Sequence, residues 1–178
     1  IAAWQQGATG AGVAIAIIDT GIDSDSPEFA GRILPASRDV AGSRGIDQED
    51  DHGTNVALVA AAARNDTGIL GIAYDARVLA LRADRPGTCG DDTPENTNLT
   101  CSFSDGDIAR GIDQAVSSGA TVINLSLGGG GVGSATLAAV RRAASAGIVI
   151  VVAAGNGGDG SNVCIDSSSI DLPSSIDR

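Results

Sequence analysis

Four short apolar runs punctuate the chain: Val13–Ile18, Val78–Leu81, Thr121–Leu127 and Ile148–Ala154. Each has strand length, most are rich in Ile and Val, and none shows the strict alternation of a strand with one wet face. Burial on both faces is therefore expected. Between the runs lie three segments of helical character. Gly53–Ala63 is Ala-rich, and Asp107–Ser118 has an Asp near its start and stops at Gly119. Ser134–Ala146 opens on a capping-type Ser and stops at Gly147, a start and stop with a physical basis in unpaired helix-end groups. Strands alternating with helices of this length predict right-handed crossovers. The expected fold class is α/β, a doubly wound, mostly parallel sheet with helices on both faces. The Gly-, Asp- and Ser-rich connections Asp39–Asp51 and Gly87–Asp107 read as surface loops. There is no internal repeat, and 178 residues fit a single domain over 1–178.

Charge narrows the partners. Eleven basic residues, all Arg, stand against 22 acidic ones, for a net charge of −11. Such a balance argues against nucleic acid and anionic membrane, which need concentrated basic side chains. Without Lys there is no Schiff-base amine and no P-loop cation. No apolar run approaches the ~18 residues of a membrane span, so no insertion by this segment is expected. The absence of Met and the Ser/Asp-rich tail Asp159–Arg178 suggest a piece excised from something longer. Cys89, Cys101 and Cys164 lack metal-ligand spacing. Cys89 and Cys101 bracket a polar stretch, either as a short disulfide loop in an oxidising compartment or as two loop thiols. Cys164 is left odd.

In an open α/β sheet chemistry gathers at the carboxyl edge. There the first strand runs into Asp19-Thr20-Gly21, the third into Ser126-Leu127-Gly128-Gly129, and the last into Gly155-Asn156-Gly157. His52, the only histidine, opens the Ala-rich helix. A carboxylate at the end of a buried strand costs several kcal/mol of desolvation unless paired. Asp19 could instead be a capping or turn residue, and a lone His is more often structural than catalytic. Together, a buried Asp that fixes the tautomer of an accessible imidazole makes a general base. A single Asp-Thr-Gly in a βαβ pattern does not fit the aspartic proteases, which are all-β and need two. Gly128-x-Gly130-x-x-Gly133 matches a dinucleotide fingerprint, but the next strand ends in Gly155-Asn156-Gly157 without the carboxylate that would hold a ribose. A carboxamide held at a strand end, as at Asn156, can donate to a developing oxyanion, a role whose loss typically costs ~3–4 kcal/mol.

Four segments, in order and spacing, resemble the subtilisin-like serine proteases. They are Ile17-Ile18-Asp19-Thr20-Gly21-Ile22-Asp23, His52-Gly53-Thr54-Asn55-Val56-Ala57, Val122-Ile123-Asn124-Leu125-Ser126-Leu127-Gly128-Gly129, and Val152-Ala153-Ala154-Gly155-Asn156-Gly157-Gly158. The resemblance implies peptide-bond hydrolysis of a polypeptide substrate, with no cofactor for the chemistry. Asp19 would orient His52, His52 would relay the proton of a serine, and Asn156 would bind the oxyanion. Ser126, Leu127 and Gly128 would pair with an extended peptide, with Ser102–Phe103 flanking it on the other side. Gly128–Gly131, which includes Gly129, and Ala154–Gly155 would line the pocket for the residue before the scissile bond. Glu28 and the loop Asn65–Ile69 fall where some relatives place a structural calcium; a solvated acid and a polar turn are the alternative. The style is that of secreted bacterial members, monomeric when complete.

One departure matters. The family nucleophile lies in a Gly-Thr-Ser-Met-Ala-type segment well beyond the oxyanion Asn, whereas 22 residues follow Asn156 here. None of Ser161, Ser167, Ser168, Ser169, Ser174 or Ser175 stands in a Gly-x-Ser-x-Ala setting. The expectation is a truncated domain, roughly its N-terminal two-thirds. Such a chain would be inactive alone, since losing the serine costs about 10⁶ in kcat, and it would be prone to aggregate through uncovered apolar surface. A non-catalytic peptide-binding module of the same fold is the alternative.

Overall fold

Each apolar run becomes a strand, trimmed, shifted or extended by a residue or two at its ends. The computed structural model describes residues 2–89, 101–128 and 132–154. A short helix α1 (Ala2–Gln5) precedes β1 (Ala14–Asp19), β2 (Arg38–Asp39), α2 (His52–Ala61), β3 (Arg77–Arg82), α3 (Asp105–Ser117), β4 (Val122–Leu125), α4 (Ser134–Ser145) and β5 (Val149–Val152). The strand order is β2-β3-β1-β4-β5, and every pair in the sheet is parallel. The expected doubly wound α/β architecture is therefore present. All carboxyl ends lie along one edge, with Asp19 at the end of the central strand.

Alternation within the strands divides two apolar layers. Ile15 and Ile17 of β1, with Val78 and Ala80 of β3, pack with Ala57 and Ala61 of α2. Ala16, Ile18, Leu79, Leu81 and Ile123 face α3 and α4 through Ala109, Ile112, Ala139 and Val140. Each fully buried Ile or Leu contributes about 1.5–3 kcal/mol of transfer free energy, which explains why these runs dominate the sequence pattern. Gly111 lets α3 settle on the sheet, because a Cβ there would stand 3.0 Å from Cγ2 of Ile18. Val59, Ile72, Val149 and Val151 are large apolar residues left exposed.

One connection differs from its reading as a surface loop. Asp39 belongs to β2, an edge strand too short and too polar to register as a run. Its buried carboxylate accepts from the backbone N–H groups of Ala41, Gly42 and Arg44 and from the Arg44 side chain. Burial alone would raise the Asp39 carboxyl, but these donors override it and lower it to about 2. Arg44 also reaches Asp84 at 2.7 Å, and Asp84 in turn takes Arg82 at 2.9 Å. Cys89 and Cys101 are joined by a disulfide, which resolves the choice the sequence left open. Cys164 lies outside the described residues.

Candidate active site

The site begins with β1. Its apolar residues carry Asp19 to the carboxyl edge of the sheet, where the side chain is 1% exposed. Thr20 continues the chain and donates its backbone N–H to Asp19 Oδ1 at 2.8 Å. The Thr20 hydroxyl accepts from the backbone N–H of Gly53 and donates to the Asp50 carbonyl, each at 2.9 Å. One side chain thus staples the strand end to the start of α2. The approach is close enough to require glycine, since a Cβ on Gly53 would stand 2.3 Å from the Gly21 carbonyl oxygen. Gly21 itself has φ +104°, a left-handed backbone that L side chains rarely adopt.

His52, the first residue of α2, receives this placement. Its Nδ1 lies 2.8 Å from Asp19 Oδ1, and its backbone N–H donates to Asp50 Oδ1. The imidazole is 51% exposed, so one ring nitrogen faces the buried carboxylate and the other end of the ring remains accessible. Burial is the largest influence on Asp19 and raises its carboxyl above the ordinary value, against the hydrogen bonds from His52 and Thr20. Asp19 Oδ2 is buried without a protein partner.

The structure brings Asp19 and His52 together, and it also shows residues around them that the sequence did not single out. Arg82, aligned with Asp19 in the β1–β3 register, is 2% exposed and reaches Glu49 Oε1 at 2.8 Å and the Asp47 carbonyl. It pins the loop that delivers His52. The signal was a charged residue closing an otherwise apolar run, and Thr20 was visible only as part of a motif.

The other expected residues fall along the same edge. Ser126 and Leu127 follow β4 directly and are half-buried, while Gly128 is exposed. Ala153 N–H donates to the Leu125 carbonyl, so the chain keeps its β5 register up to Ala153, one residue before Ala154. Gly129, Gly155 and the expected oxyanion donor Asn156 lie outside the described residues. Glu28 is 8% exposed and its Oε2 accepts from Asn65 Nδ2. A Cβ on Gly68 would meet Glu28 Oε1, so the loop from Asn65 wraps tightly round this carboxylate. Asn65 Oδ1 is turned inward, accepting from Thr67. Among the described residues no group of three His, Cys, Asp or Glu is placed to hold a metal. No described helix is long and apolar enough to cross a membrane.

Comparison with known proteins identifies the family and the fold. A family model described as the subtilase family matches residues 10–176. The chain is 40% identical over 128 residues to a thermophilic serine proteinase of Bacillus sp. (strain AK1), covering 71% of this chain and 28% of that protein. It is 38% identical over 123 residues to thermitase of Thermoactinomyces vulgaris, covering 68% of this chain and 39% of that one. Among solved structures, sphericase superposes with a TM-score of 0.70 at 31% identity, covering 84% of this chain and 48% of sphericase. The chain thus spans less than half the length of each of these proteins. With an Asp–His pair at the carboxyl edge of a parallel sheet and a family match across nearly its whole length, this chain belongs to the subtilase family.

Proposed function

We propose that these residues form the acid–base and peptide-binding side of a subtilisin-like serine endopeptidase. The observation that carries the reading is the 2.8 Å contact between His52 Nδ1 and a carboxylate that is 1% exposed, beside an imidazole that is half open to solvent. Asp19 accepts a hydrogen bond from the Nδ1–H group and so leaves the Nε2 lone pair free on the accessible side. Nε2 takes the proton of a serine hydroxyl as it attacks the peptide carbonyl, then returns that proton to the leaving amine. The Asp19 charge stabilises the imidazolium between those two steps. Asn156 donates its side-chain N–H to the oxyanion, and the backbone of Ser126–Gly128 pairs with the extended substrate as an added strand. The serine is expected in a Gly-x-Ser-x-Ala segment, a pattern that the serines following Asn156 do not have. The Cys89–Cys101 disulfide supports an extracellular or cell-surface setting. Glu28 and the carbonyls of the loop from Asn65 suit a hard cation such as calcium, provided the Asn65 amide turns its oxygen outward.

The test is intact mass of the full-length protein before and after a fluorophosphonate probe, alongside its His52→Ala variant. One probe equivalent on the wild type and none on the variant is the expected result. No labelling of the wild type, or labelling indifferent to His52, would overturn the endopeptidase reading and leave peptide binding as the function to measure.

A further inference from the structure

Helix α4 begins without a cap of its own. Its N-cap residue is Gly133, which has no side chain to offer, yet the first-turn N–H groups of a helix need acceptors. They find one on a different helix. Asp105, in the first turn of α3, accepts from Ala135 N and Thr136 N through its two carboxylate oxygens, at 3.1 Å each. Thr136 returns the contact by donating its hydroxyl to the Asp105 carbonyl, also at 3.1 Å. The fit is close, because a Cβ on Gly133 would stand 2.1 Å from Asp105 Cγ. Hydrogen bonding to Thr136 is the largest influence on this carboxyl and holds it below its ordinary value, so it is ionised at neutral pH. One negative charge thereby sits at two positive helix ends.

The position of this link gives it a functional meaning. Helix α3 is entered through Ser102–Phe103, whose backbone meets Asp84 and Arg85 at the end of β3. Helix α4 is entered from Ser126–Gly128 at the end of β4. Phe103 and Leu127 pack against the same apolar layer. These two entry segments flank the end of β1, and in the reading above they are the two walls of the peptide groove. We infer that Asp105 is a positioning residue that ties the two walls together and sets the spacing in which an extended peptide is held. The inference rests on the proposed endopeptidase reading.

The test compares two substrates of the full-length protein: a hexapeptide amide that fills the groove, and a single-residue ester that does not. Asp105→Ala should lower the ratio of their kcat/KM values by about five- to tenfold, the loss falling mainly in the hexapeptide KM. Asp105→Asn keeps one of the two acceptor oxygens and should give a ratio between those of the wild type and Asp105→Ala. Gly133→Ala should act in the same direction as Asp105→Ala, by displacing the carboxylate. A merely structural role would lower the active fraction and depress both substrates alike, leaving the ratio constant. A constant ratio in Asp105→Ala, or an Asn variant that loses more than the Ala variant, overturns the inference alone. A wild type that hydrolyses neither substrate overturns the endopeptidase reading, and the inference with it.

Discussion

Replacing Asp19 with Asn changes one atom and separates the two roles of the carboxylate. Asp19 Oδ1 accepts from both His52 Nδ1 and Thr20 N at 2.8 Å, while Oδ2 is buried without a protein partner. If the Asn oxygen keeps the Oδ1 place, the His52 tautomer survives, but an amide NH₂ is buried unpaired and the charge that stabilises the imidazolium is gone. If the amide turns, its NH₂ confronts both Thr20 N–H and His52, and His52 is driven to the wrong tautomer. Either way kcat should fall by about 10⁴, equivalent to about 5.5 kcal/mol of transition-state stabilisation. The effect on stability has its own sign. The folded carboxyl is raised above 3.8, so its contribution is fully present below the unfolded value and is lost as pH rises through the folded one. The variant lacks this loss and should compare more favourably with wild type at pH 7 than at pH 4. The assays are active-site-titrated turnover of the full-length protein and urea unfolding at both pH values. A kcat loss below about tenfold would refute the role given to Asp19. A stability difference that moves the other way with pH would refute the burial argument.

Three further outcomes follow from contacts outside the Asp–His pair. Arg82→Met leaves Asp84 buried with only Arg44 as a charged partner. It should cost about 3–5 kcal/mol in urea unfolding, and a change within about 0.5 kcal/mol would show that the ion network is not coupled to the fold. Asp39, lowered to about 2 by its donors, supplies stability that is present above 3.8 and is lost as pH falls toward 2. Asp39→Asn should accordingly destabilise at pH 7 and matter progressively less across that window, as read by thermal melts in a pH series. Reducing the Cys89–Cys101 bond, which spans a sequence separation of 12, should cost about 3 kcal/mol and lower Tm by about 6–12 °C. An unchanged Tm after verified thiol titration would contradict that.

The sequence by itself determined the layered α/β class, because residues buried on both faces of a parallel sheet must be apolar whatever their neighbours are. It also marked Asp19 and His52, since a carboxylate ending a buried strand and an imidazole opening a helix stand out against the local pattern. It missed β2, whose two residues pair with β3 through backbone groups that carry no side-chain signature. It took Asp39–Asp51 for a solvated loop because it is polar, whereas Arg44, Arg82 and Asp84 bury part of that polarity by satisfying it. Only the tertiary structure decided that Asp19 meets His52, that Arg82 holds the loop before His52, and that Asp105 caps a helix some 30 residues away. Burial is a property of a residue type and leaves a periodic trace along the chain. A hydrogen bond between residues distant in sequence depends on where the sheet and helices bring two short side chains within 3 Å, and it leaves none.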